Sequence, residues 1–182
     1  CDGTPQDAAP RGVVLISIDT LRADHLGVYG YERPTSPFLD RLAERSVVFE
    51  HAFAQLPGTL PSHMSMLTGL YPAEHGVYPP AGLLPHHIPL LPQVLRAGGF
   101  RTAGYSEGGY VDGVFGFSRG FEEWSDEVIE QADDVERQLK RGDSFLRRLH
   151  DDERFFLFLH TYAVHDPYTP PEPYASEFDA AP

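Results

Sequence analysis

This sequence of 182 residues has a single cysteine, Cys1, and few basic residues. One cysteine can form neither an intrachain disulfide nor a cysteine metal cluster. The 14 lysines and arginines are outnumbered by 27 aspartates and glutamates, which gives a formal net charge of −13. Nucleic acids require a basic face, and anionic lipid surfaces attract basic segments, so this charge argues against both kinds of partner.

The sequence also lacks a long hydrophobic run. No apolar stretch approaches the roughly 18 residues of a membrane-spanning helix, so no such segment is predicted. Hydrophobic residues nevertheless make up 41% of the chain, which is typical of a globular protein. A chain of this length can form one domain with a substantial core.

The first residues allow two interpretations. Cys1 followed by a polar stretch up to Pro10 resembles a bacterial lipoprotein after removal of its signal peptide. A lipid on the Cys1 thiol would then anchor the protein at the bacterial cell envelope or in the periplasm, with residues 1–11 as a flexible tether. The alternative is an arbitrary chain start without an anchor.

Apolar segments of strand length alternate with helical patterns along the rest of the chain. Strands are predicted at 13–18, 47–53, 101–105 and 154–160. Helices are predicted from Ser36 and Pro37 onward, from Pro61 to the stop at Gly69, at 90–97, and at 126–149 with a break near Gly142. Strands separated by helices predict an α/β fold with a mostly parallel sheet.

The segment 56–72 organises the functional prediction. Pro57 and Gly58 indicate a turn, and Pro61 suits the first position of a helix because its ring presets φ. Thr59 is then expected just ahead of a helix N-terminus. Free backbone amides and the positive end of the helix dipole can hold an oxyanion there. The alternative is that Thr59 only caps the helix.

Two further polar residues follow predicted strands. Asp19 comes directly after the strand at 13–18, and ligands gather at the carboxyl ends of strands in open α/β sheets. A carboxylate there can bind a hard cation, or it can serve as a cap. His165 follows the strand at 154–160 and can donate a hydrogen bond or a proton, although a satisfied loop histidine is the alternative. Asp24 and His25 lie in a predicted loop, where we expect them to be a solvated or capping pair without a catalytic role.

The run Thr59-x-Pro-Ser-His63-x-x-x-Leu-Thr-Gly69 resembles the signature of the sulfatase family, within the alkaline phosphatase superfamily. The resemblance extends through 16–25, 98–103 and 160–171, and it implies an alkaline-phosphatase-like fold. Typical members have Cys or Ser where this chain has Thr59, and Arg where it has His63. Threonine cannot be oxidised to the formylglycine that the family derives from that Cys.

Other departures concern the ligands of the ion and the sulfate. The family has two consecutive aspartates where this chain has Asp19 and Thr20, and a Gly-Lys-Trp-His run where it has Ser-Glu-Gly-Gly at 106–109. Gly108 can offer its backbone amide to an anion, or it simply forms a turn. His75 lies in a His-Gly-Val tripeptide that the family uses mostly as scaffold.

The resemblance implies a metal-dependent hydrolase of sulfate or phosphate esters of small molecules or glycans. Asp19 and Thr59 would bind a divalent metal, calcium by family, with zinc or manganese as options. Thr59 would be the nucleophile, His63 would contact an ester oxygen, and His165 would touch the sulfate and protonate the leaving group. Gly108 would help to bind the substrate.

Further metal ligands of the family lie in a segment after the matched part, and no comparable motif follows His165. Residues 12–182 are therefore expected to be the N-terminal part of a catalytic domain, inactive alone. Two other functions stay open. One is a phospho-headgroup transferase or phosphodiesterase with a threonine nucleophile, and the other is a non-catalytic sulfatase-like binding protein.

Overall fold

The computed structural model of this chain describes residues 11–80, 82–127 and 134–177. The predicted lipid anchor at Cys1 lies outside these residues, as do the tether up to residue 10 and the section 128–133 of the predicted helix at 126–149. In the described part, no helix is both long and apolar enough to cross a bilayer.

Four strands and six α-helices lie within the described residues, with helices between β1 and β2 and between β3 and β4, which confirms the α/β prediction. The strands are β1 (Gly12–Ile18), β2 (Phe100–Tyr105), β3 (Glu123–Ser125) and β4 (Arg154–Thr161). The helices are α1 (Pro37–Ala43), α2 (Thr59–Thr68), α3 (Pro72–His75), α4 (Leu91–Ala97), α5 (Asp134–Arg147) and α6 (Tyr174–Glu177).

The strands form one sheet in the order β1-β4-β2-β3, and every neighbouring pair is parallel. Ser17 of β1 is in register with His160 of β4, and Ile18 with Thr161. The carboxyl ends of β1 and β4 therefore meet at the same edge of the sheet. This register decides which side chains can share a site there.

Side chains of β4 alternate between two apolar layers. Phe156 and Phe158 belong to a core cluster that includes residues of α2. Leu157 and Leu159 belong to a second cluster, in which Phe145 of α5 is buried. Because successive side chains of a strand point to opposite faces, β4 is covered on both sides, as predicted for a buried strand of an α/β sheet.

The prediction that the strand at 13–18 is buried was wrong in one respect. Residues 12–18 form β1, but Val13, Val14 and Ile16 are 46%, 47% and 57% exposed. Within the described residues β1 pairs only with β4 and stands at the end of the strand order. An apolar run alone does not distinguish such a position from the centre of a sheet.

Two other predictions of local structure were wrong. The segment 47–53 forms no strand, and Val47 and Phe53 are 81% and 83% exposed, because no strand of the described residues pairs with it. Helix α5 continues through Gly142 without a break. A Cβ at Gly142 would lie 3.4 Å from atoms of Leu157 and Leu159, an ordinary van der Waals distance, so this position faces the sheet without interrupting the helix.

Three boundaries or elements differ from the sequence analysis. Helix α2 begins at Thr59, two residues before the predicted start at Pro61, so Thr59 is its first residue. The turn-rich segment after Gly69 contains the short helix α3. Strand β3 was not predicted, because three residues within an acidic stretch carry no recognisable strand pattern.

Candidate active site

A cavity of about 520 Å³ opens at the carboxyl end of β1, beside the start of α2. Asp19, Thr59 and His63 all line it, so the structure brings three of the predicted site residues together. The remaining lining residues are Ser17, Ile18, Thr20, Ala54, Leu56, Pro57, Gly58, Ser62 and Met66. A second cavity, of about 450 Å³, is lined by no carboxylate, imidazole or basic side chain.

The start of α2 supplies backbone donors to the first cavity. Gly58 is the N-cap in extended backbone, its carbonyl accepts the Ser62 amide at 3.1 Å, and no side chain caps the helix. The amides of Thr59 and Leu60 belong to the first turn, which has no intrahelical acceptors. Thr59 is thus placed with the positive end of the helix dipole, an arrangement that favours an anion.

His63 is held between β1 and the start of its own helix. Its Nδ1 lies 2.8 Å from the Thr59 carbonyl oxygen, which can only accept, so the proton is assigned to Nδ1. Its Nε2 then accepts a hydrogen bond from the Ser17 hydroxyl at 2.7 Å. Burial lowers the pKa of His63, opposed by the Thr59 carbonyl and by Asp19, so the ring is neutral at pH 7.

His160, which the sequence analysis did not single out, lies at the end of β4 and is 1% exposed. Its Nε2 is 3.7 Å from Asp19 Oδ2, and its ring packs edge-on against His63 with centroids 4.9 Å apart. The pKa of His160 is lowered to about 4, chiefly by burial and also by His63, whereas Asp19 opposes the shift. Its sequence signal was a polar residue at the end of an otherwise apolar strand.

Asp19, His63 and His160 form a cluster whose ligand atoms all lie within 4.8 Å of one another. Asp19 Oδ2 and both ring nitrogens of His160 are buried without a hydrogen-bond partner. Buried polar atoms normally have partners, because leaving them unpaired costs free energy. Unpaired ligand atoms of this chemistry fit a bound divalent cation. That Asp19 is a metal ligand stays a prediction.

The two other predicted residues do not line the cavity. His165 Nδ1 donates to the Asp166 carbonyl at 2.7 Å, and its ring packs edge-on against Tyr162, 5.5 Å between centroids. Tyr162 in turn packs against His160 at 4.5 Å, so one aromatic ring separates the two histidines. Gly108 is buried and its amide donates to Ser106 Oγ at 2.9 Å, which leaves that amide unavailable to an anion in this structure.

Glu107 lies in the region where the sulfatase pattern has a lysine, and its side chain forms hydrogen bonds within the fold. Its carboxylate accepts hydrogen bonds from Thr161 Oγ1 and from the Tyr162 amide, each at 2.7 Å. These bonds fix the chain directly after β4, next to His160. The sequence analysis noted the missing lysine but did not predict this contact.

Asp24 and His25 lie in the loop between β1 and α1. Asp24 pairs with Arg22 at 2.6 Å, and both side chains are about two-thirds exposed, 66% and 65%. The His25 ring stacks on Tyr31. These contacts agree with the expected solvated pair.

His75 is a buried scaffold residue, as the sequence analysis expected. Its Nδ1 accepts the Val77 amide at 3.0 Å, so its Nε2 carries the proton and donates to Ser65 Oγ at 3.1 Å. Burial lowers its pKa below the ordinary value of 6.5. The folded state therefore holds this ring neutral under conditions in which the unfolded chain would protonate it.

We expect His75 to make the free energy of unfolding depend on pH. Above the unfolded pKa of about 6.5 both states are neutral and His75 has no effect. As the pH falls below that value, the unfolded chain binds a proton that the folded chain resists, so stability decreases by at most about 1.4 kcal/mol per pH unit. The free energy of unfolding, measured with urea at several values between about pH 5 and pH 7, should depend less steeply on pH in His75→Gln than in the wild type. Exposed His87→Gln is the control. An equal pH dependence in His75→Gln and the wild type would contradict the conclusion that the fold holds His75 neutral.

Comparison with known proteins places this chain in a known family. The family described as Sulfatase matches residues 11–181. Human N-sulphoglucosamine sulphohydrolase is 32% identical over 171 residues, covering 88% of this chain and 32% of its own length. This chain thus spans about a third of that relative.

Two solved structures of low identity share the fold. The phosphonate monoester hydrolase of Agrobacterium radiobacter has a TM-score of 0.76 at 20% identity, covering 92% of this chain and 44% of its own. The C-terminal periplasmic domain of EcEptC from Escherichia coli, in complex with Zn, has a TM-score of 0.72 at 20% identity, covering 95% of this chain and 49% of its own. The predicted alkaline-phosphatase-like fold, a mostly parallel sheet flanked by helices, is confirmed by these similarities.

Proposed function

This chain belongs to the sulfatase family, and we propose that the full-length protein is a metal-dependent hydrolase of sulfate or phosphate esters with Thr59 as nucleophile. One observation carries the proposal. Thr59, at the start of α2, and Asp19, at the end of β1, line the same cavity. An alcohol and a potential ion ligand therefore share the space in which an ester could bind.

The Thr59 hydroxyl would release its proton to solvent and Oγ1 would form a bond to sulfur or phosphorus, while the bond to the leaving oxygen breaks and that oxygen takes up a proton from His165. A divalent ion at Asp19 and Thr59 would stabilise the alkoxide and the developing charge. The backbone amides at the start of α2 would orient the ester oxygens and help to offset their charge. Attack of water on the covalent intermediate would then regenerate the Thr59 hydroxyl.

His165 is the proposed donor of the proton to the leaving oxygen. It lies in the loop after β4, one aromatic ring away from His160, and does not line the cavity in this structure. The role therefore requires its loop to approach the bound ester. Substrate-dependent closure of this kind is common in enzymes.

We propose a sulfated sugar as the substrate class. One curated relative, which this chain matches over 171 residues, is an enzyme whose name specifies N-sulphoglucosamine. Within the described part of the chain, no lysine or arginine lines the cavity. The anionic ester would therefore be held by an ion and by the amides of α2, which suits a substrate with one charged group and a neutral ring.

A second candidate is a transferase that moves a phospho-headgroup onto Thr59 and then onto an acceptor other than water. Threonine in place of the family's cysteine favours the transferase, because the threonine hydroxyl can form a phosphate ester without oxidation of the residue to formylglycine. A lipid anchor at Cys1 and a position in the bacterial envelope would fit this candidate, and both remain proposals. The similarity of fold to a zinc-containing periplasmic domain is compatible with either function.

The test is ester turnover by the full-length protein, first stripped of metal with a chelator and then resupplied with calcium, zinc or manganese. Release of sulfate from an aryl sulfate or a sulfated glucosamine supports the hydrolase. A phosphate group trapped on Thr59 and detected by mass spectrometry, with release only to an added alcohol, supports the transferase. Silence with every ester and every metal supports a non-catalytic binding protein instead.

A further inference from the structure

We infer that Asp19, His63 and His160 together form a binding site for a zinc-class transition-metal ion. This inference deepens the proposed function and rests on it for the use of the ion in ester cleavage. It adds two histidines to the expected ligands and selects a class of metal. Among the described residues, this is the one cluster of three acidic, histidine or cysteine side chains with metal-binding spacing.

The first support is the way His63 is held. Its Nδ1–H donates to the Thr59 carbonyl, so the lone pair for a metal is on Nε2. Histidine ligands almost always donate their second ring N–H to a carbonyl, a carboxylate or water, which fixes the tautomer and the orientation of the ring. The Ser17 hydroxyl now occupies that lone pair at 2.7 Å and would rotate away when an ion binds.

The second support is the unpaired state of the other two ligands. His160 has two buried ring nitrogens without a partner, and Asp19 Oδ2 has none either. The side chain of His160 is fully buried and that of Asp19 is 10% exposed. An unpaired carboxylate oxygen facing an unpaired imidazole nitrogen is costly in isolation, and a shared cation removes the cost for both.

The spacing agrees with this assignment. Ligand atoms about 2.1 Å from a tetrahedral zinc ion lie about 3.4 Å from one another. His160 Nε2 and Asp19 Oδ2 are 3.7 Å apart, and the ligand atoms of all three residues lie within 4.8 Å. Small side-chain rotations would therefore close the site without movement of β1, β4 or α2.

The ligand chemistry selects the metal. Calcium takes six to eight oxygen ligands, whereas imidazole suits zinc and related transition metals. Two histidines and one carboxylate are a common catalytic zinc set with a fourth position open for water or substrate. Thr59 lines a cavity together with Asp19 and His63, so its hydroxyl would be the oxygen ligand at that position. In this arrangement His63 binds the ion rather than an ester oxygen.

The experiment measures zinc binding by the full-length, metal-stripped protein against a chromophoric chelator. His63→Gln and His160→Gln should each weaken zinc binding at least about 100-fold, since even outer-shell changes cost 10- to 100-fold. Calcium should bind far more weakly than zinc. The matched control is His87→Gln, an exposed histidine outside the cluster, which should bind zinc as the wild type does. Unchanged zinc affinity in the folded His63 or His160 variants would overturn the inference.

A second measurement needs no variant, in case a substitution at buried His160 prevents folding. X-ray absorption of the wild-type protein loaded with one equivalent of zinc should show at least two imidazoles in the first shell. A shell with fewer than two imidazoles would overturn the inference. Zinc bound by these residues without turnover of any ester would leave the inference standing and remove the proposed function. Ester turnover with calcium, together with an all-oxygen ligand shell, would support the proposed function and overturn the inference of a zinc-class site.

Discussion

Replacement of Thr59 by alanine will lower kcat/KM for ester cleavage by the full-length protein by at least about 10⁴-fold, the scale of nucleophile removal in enzymes with covalent intermediates. The reason is that Thr59 carries its hydroxyl at the first position of α2, next to the free helix amides, whereas the other hydroxyls that line the cavity lie elsewhere. Loss of Oγ1 also removes a potential ligand of the ion. The measurement is steady-state turnover of the best ester found for the wild type.

The fold should survive this substitution. Thr59 is the first residue of α2, its side chain is not the helix cap, and alanine is a better helix former. Thr59→Ser is the matched control, because it keeps an alcohol at the same position and should retain measurable turnover. Wild-type turnover in the alanine variant would show that the ester is attacked by water or by another group, and the covalent mechanism would have to be abandoned.

Sequence patterns were sufficient for the fold class and for three residues that line the cavity, Asp19, Thr59 and His63. Strand β4 and helix α4 have an apolar pattern, a length and end signals that agree with one another, and their bounds lie within one residue of the prediction. The placement of Asp19 and Thr59 on one cavity follows from two local rules, one for the ends of parallel strands and one for the starts of helices. Each rule acts within a few residues, so it can be read from a single sequence.

The remaining site residues depend on long-range register, which a single sequence does not show. His160 faces Asp19 because β1 and β4 are neighbours with Ser17 opposite His160, although 143 positions (160 − 17) separate them in sequence. The hydrogen bond between Ser17 of β1 and His63 of α2 is also a long-range contact, because 46 positions separate the two residues. The missing partner of the strand predicted at 47–53 is a similar case, because pairing is decided by the whole sheet and not by the segment itself.

Two of the departures from the sulfatase pattern lower the positive charge around the ester. His63 replaces an arginine and is neutral at pH 7, and Glu107 stands in the region of a lysine and is occupied by bonds to Thr161 and Tyr162. The cavity therefore has no cationic side chain among its lining residues. A bound ion and the dipole of α2 would have to stabilise most of the charge that develops in the transition state.

Arg119 is the residue whose loss should most strongly loosen the fold. Its guanidinium donates to the carbonyls of Leu84, Pro85, His86 and Ile88 at 3.2, 3.1, 3.2 and 2.6 Å, and to Gln93 Oε1 at 3.3 Å. One side chain therefore organises the segment 84–93. That segment contributes Leu84, Ile88 and Leu90 to the core cluster packed on α2.

We expect Arg119→Met to lower the free energy of opening of the segment 84–93 by about 2 to 3 kcal/mol. Hydrogen bonds from a charged donor are worth about 1.5–3 kcal/mol each, but water replaces some of them when the donor is lost. Methionine keeps an apolar stem of similar length, so the change reports the guanidinium and not a cavity. Hydrogen exchange followed by mass spectrometry should show amides of this segment exchanging about 30- to 140-fold faster, because each 1.4 kcal/mol is a factor of ten.

Arg96→Met is the matched control. Arg96 is also near this segment, but its side chain is 54% exposed and its Nε lies 3.8 Å from Glu122 Oε1. An exposed pair of this kind contributes about 0–1 kcal/mol, so exchange in 84–93 should change little. Equal protection in the Arg119 and Arg96 variants would mean that apolar packing alone holds the segment. The carbonyls would then be satisfied by water, and the five guanidinium bonds would add orientation without net stability.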